Sequence, residues 1–352
     1  MNKDKIKVCI IGGGNISNSR HIPALKKLKN VEIVGVMSRS ETSLRKTQNK
    51  NHFKNEMIIN NPKNDIETLS KCDWFKDVQA VVIGVPPKQH YPLAKMCLQL
   101  GKNVLVEKPM MMNKDECEEL IKLSKQKHLK FCVMHNFQFA NGMLKLNEII
   151  KSKKYGEIVT ITEMQFTNRE RRLPVWYNDL PLGLFYDEAA HFIYLLQKHC
   201  GKVNIDSAYA KYNSNDATPA LLSVSAQAGK IPVQMLLNMN SPICEWYYIV
   251  SFKKEMFIYD FFKDILVRVH TDNEHLGRDI IHNDFAFTFK YWFEFIKNGF
   301  KLVTGNLLYG HDIALGRFID SIITNKDDDC ISAENGEETV ITMNEIIKKV
   351  NK

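Results

Sequence analysis

The apolar positions of this chain follow two different patterns. Up to about residue 139, short runs without alternation (Lys7–Ile11, Val31–Val36, Ala80–Val85, Asn103–Glu107, Lys130–Met134) are separated by stretches with helical spacing. Those stretches run through Ile22, Leu25 and Leu28, from Pro92 to Leu100 before Gly101, and over 114–128. Runs apolar at every position suit strands buried on both faces, and their alternation with helices predicts a doubly wound, parallel α/β sheet. Beyond Phe139 the texture changes. Ile158–Phe166 alternates imperfectly, Leu222–Ala228 alternates cleanly, and Gly229-Lys230 turns into Ile231–Met239. Further β-like runs at 244–252, 255–260 and 264–269 predict an open, mostly antiparallel sheet. Helices are expected around Phe285–Lys297, Tyr309–Ile323 and Glu337–Val350. The domains are accordingly expected at 1–137 and 138–352, α/β followed by α+β.

At 352 residues, with 44% hydrophobic and 25% charged positions, the chain can form two soluble domains. No apolar run reaches the roughly 18 residues of a membrane span, and no leader is visible at Met1–Lys7. Eight cysteines without a C-x-x-C pair suit reduced core residues of a cytoplasmic protein. Residues 1–137 carry 24 Lys and Arg against 13 Asp and Glu, a balance of +11, whereas the remainder stands at 24 against 27. That basic half suits an anionic cofactor. Nucleic acid is not expected as a partner, because the lysines are scattered over several helix faces and are not interleaved with aromatics.

Gly12-Gly13-Gly14-Asn15-Ile16-Ser17 lies between the first strand and the first helix, where a dinucleotide fingerprint belongs. Gly12 allows the tight turn and Gly14 lets the backbone approach a pyrophosphate at the helix N-terminus, with Ser17 in place of the third glycine. This predicts a Rossmann domain. The second strand ends in Ser38-Arg39-Ser40, with no acidic residue for an adenosine ribose. A guanidinium between two hydroxyls suits a 2′-phosphate, so NADP is expected over NAD.

These residues, with His21-Ile22-Pro23-Ala24-Leu25, Pro86-Pro87-Lys88-Gln89-His90, Val106-Glu107-Lys108-Pro109 and Asp187–His191, resemble the Gfo/Idh/MocA family (glucose–fructose oxidoreductase, inositol dehydrogenase, rhizopine catabolism). The resemblance covers nearly the whole chain. It implies a Rossmann domain, a C-terminal sheet domain whose outer face forms homodimers or homotetramers, and NAD(P)-dependent oxidoreduction at a ring hydroxyl or ketone of a sugar, cyclitol or derivative. It places Lys108, Asp187 and His191 at catalytic positions. Gly12, Gly14, Asn15, Ile16, Pro86, His90 and Glu107 would line the cofactor, and Asn136 would contact substrate or cofactor. Two residues depart from the pattern: Ala189 stands where glycine is usual, and Tyr194 where an aspartate often follows the histidine.

Independently of the family, Asp187 and His191 are spaced i, i+4 and would share one helix face. Lys108 precedes Pro109 at the carboxyl end of a parallel strand, the edge where open α/β sheets bind ligands. His191 would exchange the hydroxyl proton, with Asp187 orienting the ring and Lys108 bonding the same oxygen; Lys108 as the acid/base itself stays open. No metal is expected, because no H-E-x-x-H spacing occurs. Arg169, Arg171 and Arg172 lie beside Trp176 and Tyr177, a combination suited to an anionic sugar. The same arm could instead pack across a subunit, its arginines pairing Glu170 or Asp179. Two other functions also stay open: glycoside cleavage with transient use of the nicotinamide, and nucleotide sensing without turnover.

Overall fold

A computed structural model describes residues 5–213, 216–272 and 274–350 and divides into two compact units. The first holds the chain up to Asn136 together with Gly310–Ile341, and the second holds Phe137–Tyr309 with the segment from Thr342 onward. Gly310–Ile341, expected with the second domain, therefore packs with the first. Its helix His311–Thr324 lies against Ile22–Lys26, and Ser332 bridges Cys132 at the sheet edge.

The first unit is built on six parallel strands: β1 (Ile6–Ile11), β2 (Val31–Ser38), β3 (Asn55–Ile58), β4 (Ala80–Ile83), β5 (Asn103–Val106) and β6 (Phe131–Val133). Their order, β3-β2-β1-β4-β5-β6, is that of the Rossmann fold. Val8, Ile10, Val82 and Leu105 are fully buried, as strands covered on both faces require. Truncating one of them to alanine is expected to cost about 2–5 kcal/mol.

The second unit has seven strands: β7 (Ile158–Phe166), β8 (Val203–Lys211), β9 (Leu221–Ala228), β10 (Ile231–Asn238), β11 (Glu245–Phe252), β12 (Met256–Asp260) and β13 (Ile265–Val269). Their order is β13-β12-β11-β7-β10-β9-β8, antiparallel apart from the β7–β10 pair. The alternation read in β9 is real: Leu222, Val224, Ala226 and Ala228 are buried, while Ser223 and Ser225 are only partly so. No helix among the described residues is long and apolar enough to cross a membrane.

Candidate functional site

The turn after β1 is shaped by two glycine backbones in contact. Gly12 has φ +108°, and a Cβ there would strike the Gly84 carbonyl at the end of β4. Gly14, by contrast, faces open space and is exposed, as is Asn15 behind it; Ile16 is half-buried. Asn18 Nδ2 donates to the carbonyls of Gly13 (3.1 Å) and Gly14 (3.0 Å), and Thr47 Oγ1 donates to Gly13 as well (3.0 Å). The loop is thus pinned from behind with its open side outward. Gly12, Gly14, Ser38, Arg39 and Pro86 line one cleft together with Ser40, Ser43 and Val85. This cradle, with no side chain on Gly14, fits the pyrophosphate of a dinucleotide.

Arg39 is exposed at the rim of that cleft and has no ion pair among the described residues. Ser38 is buried beside it. Ser40 has a structural task, since its side chain accepts the Ser43 amide and caps the helix Glu41–Asn51.

At the end of β5, Glu107 is buried, and Lys108 behind it is half-buried. Glu107 Oε1 lies 2.7 Å from His21 Nε2 and 3.9 Å from His311 Nε2, and Oε2 accepts the Lys108 amide at 3.1 Å. Burial pushes the carboxyl pKa up, but the His21 hydrogen bond and the nearby His21, His311 and Lys108 charges outweigh it and hold it at about 2. His21 sits in a π-turn, Ser17–His21, and Gly84 leaves room for it, because a Cβ there would meet Ser17 Oγ and the imidazole. The three ligand atoms of His21, Glu107 and His311 lie within 4.8 Å of one another, a grouping of a kind that can hold a cation. The 2.7 Å contact within it is that of a charge-assisted hydrogen bond. His311 was not expected in this region at all.

His90, expected along the nicotinamide, is fully buried. Its Nδ1 lies 2.9 Å from the Pro109 carbonyl and its Nε2 2.9 Å from that of Val85. Burial lowers its pKa, although the carbonyls at both nitrogens act against this. It acts as a strut between the loops after β4 and β5. Asn136, past the end of β6, is buried at 2% exposure.

In the second unit, Asp187 and His191 do not lie on one unbroken helix. Leu184–Glu188 ends at Ala189, and Ala190–Cys200 starts after it. Phe185, Ala189, Phe192, Ile193 and Leu196 are buried, and Asp187 is half-buried. His191 is 6% exposed, with the Phe137 ring edge-on at 4.7 Å. Its Nδ1 is 3.0 Å from Tyr194 Oη, which also accepts the Phe137 amide at 3.0 Å. Tyr194, a departure from the family pattern, therefore helps to orient the imidazole. With the tyrosine oxygen accepting from Nδ1–H, the neutral ring keeps its lone pair on Nε2.

The arginine arm is largely committed within the unit. Arg171 pairs with buried Glu188, which also accepts bonds from Gln165 and Thr167. Arg169 binds Asp216 and the carbonyls of Met239 and Thr218. Glu188 and Asp216, and neither Glu170 nor Asp179, are the partners. Arg172 is exposed, and Trp176 and Tyr177 are half-buried on the turn Val175–Asp179.

Residues 6–135 match the family model described as "Oxidoreductase family, NAD-binding Rossmann fold" of the Gfo/Idh/MocA group. Oxidoreductase P35 of Formosa agariphila is 30% identical over 220 residues, which is 60% of this chain and 66% of that protein, just under two thirds of its length. Among solved structures, the WlbA dehydrogenase of Bordetella pertussis, in complex with NADH and UDP-GlcNAcA, aligns with TM-score 0.75 at 14% identity over 100% of this chain and 97% of its own. KijD10, a 3-ketoreductase from Actinomadura kijaniata in complex with NADP, aligns with TM-score 0.74 at 13% identity over 98% of both chains. At such identities these structures speak for the fold. Together with the family model and the glycine cradle they lead to one assignment: residues 6–135 form an NAD-binding Rossmann domain of the Gfo/Idh/MocA oxidoreductase kind.

Proposed function

We propose that this protein is an NAD(P)-dependent dehydrogenase or reductase acting on a ring carbinol or ketone of a sugar, cyclitol or sugar derivative. The observation that carries this reading is Lys108 at the carboxyl end of β5, its backbone fixed by an anionic Glu107, in the same unit as the open glycine cradle. A bound nicotinamide supplies or accepts the hydride at the carbon bearing the reacting oxygen. His191, nearly dry and oriented through Nδ1, is suited to exchange that oxygen's proton at Nε2. Lys108 bonds the same oxygen, and Asp187 supports the imidazole or the proton's exit. Each acid/base group contributes about 10²–10⁴-fold in rate.

NADP is the preferred form in this reading, supported by exposed Arg39 at the cleft rim and by the lack of an acidic residue at the end of β2. An anionic sugar is the favoured substrate class, supported by exposed Arg172 beside Trp176 and Tyr177 and by the nucleotide-sugar acid in the related WlbA complex. Arg171 supports it less, because Glu188 already holds its guanidinium.

The deciding experiment is a screen of NADP⁺ and NAD⁺ reduction over sugars, cyclitols, sugar phosphates and nucleotide sugars. Sustained, stoichiometric cofactor reduction with one class establishes the reading. Glycoside hydrolysis without net cofactor change identifies transient oxidation instead, and tight cofactor binding with no turnover on any class identifies a sensor.

A further inference from the structure

The helix Gly277–Val303 carries an unusual outer face. Its inner side is anchored to its own unit: Asn298 Nδ2 donates to the carbonyls of Lys263 and Asp264, and buried Glu294 binds Lys145 at 2.8 Å and Lys290 at 2.9 Å. Its outer side presents Ile281, Phe285, Phe289, Trp292, Ile296 and Phe300, all between 57% and 75% exposed, and ends on Val303 at 89%. The steps along that line are four, four and three residues, taken twice. An eleven-residue repeat of this kind drifts only about 20° around a straight helix each time, so the stripe stays on one side for about 33 Å. No charged residue falls on it.

Aromatic side chains each present about 150–250 Å². At the exposures seen, this stripe and neighbouring Phe293 (59%) leave on the order of 1,000 Å² of apolar surface in water. The largest patch on an ordinary monomer is about 300–600 Å², and a stable interface takes about 800 Å² from each partner. The spacing is also nearly palindromic. Counting outward from Trp292, Phe289 has its counterpart in Ile296, Phe285 in Phe300, and Ile281 in Val303. A two-fold axis at Trp292 would thus set Trp292 on its own copy, Phe285 on Phe300, Ile281 on Val303 and Phe289 on Ile296, apolar against apolar throughout, the self-complementarity an isologous interface needs. A lipid surface suits the helix less well. Membrane-binding helices keep a strongly basic polar face, whereas here Lys290 is paired with Glu294 and Arg278 lies 3.8 Å from Asp279, which leaves Lys297 and Lys301 as its basic residues outside such pairs.

We propose that this face is covered by the same helix of a second copy of the chain, packed antiparallel about Trp292. The interface would be separate from the outer face of the C-terminal sheet.

The test compares the full-length wild type with Phe289→Glu/Ile296→Glu by analytical ultracentrifugation. Far-UV circular dichroism and NADPH titration verify that both are folded. The variant is expected to show half the wild-type mass, with self-association weakened roughly a hundredfold or more. A second experiment does not depend on that variant: Trp292→Cys is expected to form a disulfide-linked dimer under mild oxidation. Ile281→Cys alone should not, but mixed with Val303→Cys it should cross-link. An unchanged mass in the folded variant overturns the proposal, as does a wild type that is monomeric at about 100 μM. So does a dimer broken only by charges on the sheet face, or a monomeric wild type whose stripe binds anionic vesicles.

Discussion

His21 Nε2 and Glu107 Oε1 are 2.7 Å apart inside the first unit, and neither side chain is more than 8% exposed. The pair fixes an anion next to the Lys108 amide, at the strand end where ligands of open α/β sheets collect. Removing one partner leaves the other charge buried, so His21→Leu is expected to cost about 3–5 kcal/mol in urea denaturation. A loss below about 1 kcal/mol would mean that His311 or water replaces it fully.

The same pair gives stability a definite pH dependence. Folded Glu107 binds its proton less readily than the unfolded chain, with a pKa of about 2 against 4.5. Its stabilising contribution is therefore complete above 4.5 and is lost as pH falls from there toward 2. The stability gap between wild type and Glu107→Gln is expected to narrow between neutral pH and about pH 3. A gap that stays constant would show that Glu107 is not the titrating group.

Glu163 behaves in the opposite sense. It is fully buried on β7 with neither carboxylate oxygen hydrogen-bonded among the described residues, and burial raises its pKa well above 4.5. The folded state holds this proton more tightly than the unfolded one, so stability falls as pH rises above 4.5. Glu163→Met is expected to stabilise the protein near neutral pH by about 1–3 kcal/mol and to flatten this dependence. Destabilisation would point to an internal water or a packing role for the carboxyl.

Arg39→Ala is expected to weaken NADPH binding roughly tenfold or more, with little change for NADH, because a charge-assisted contact to the 2′-phosphate is lost. Fluorescence titration with both cofactors checks this. Equal losses, or a wild type that prefers NADH, would remove NADP from the reading.

Tyr194→Phe keeps the ring beside His191 and removes only the hydroxyl at Nδ1. It is expected to lower kcat by less than the ~10²–10⁴-fold of His191→Ala or Lys108→Ala, with KM little changed and the pH–rate profile displaced. An unaltered profile would make the tyrosine a packing residue.

Arg171 and Arg172 are expected to separate. Arg171→Ala breaks the pair with buried Glu188 and should reduce stability, whereas Arg172→Ala should leave stability intact and raise KM for an anionic substrate but not for its neutral analogue. Thermal melts and paired kinetics distinguish them.

The central strands were legible in the sequence because burial on both faces leaves no place for a polar residue. The edges were not. β3 reads Asn55-Glu56-Met57-Ile58 and is half-exposed throughout, and β8 alternates with serine, aspartate and lysine, so neither shows an apolar run. The glycine loop and Lys108 were legible because their chemistry is local. The His21–Glu107–His311 grouping was not, because its members meet only through the fold and His311 follows some two hundred residues after Glu107. Tyr194 was visible as an oddity, but its hydrogen bond to His191 was not.

The return of Gly310–Ile341 to the first unit bears on how the chain is made. A polypeptide emerging from the ribosome has all six strands of the parallel sheet once Val133 is out, yet the helix against Ile22–Lys26 and the third member of the Glu107 grouping arrive only after β13 and the long helix. Until then the sheet must wait with one flank uncovered while the second unit folds in the interval. Early termination anywhere between Asn136 and Gly310 would thus release a nucleotide-binding body that is incomplete, and a natural target for chaperones or proteases.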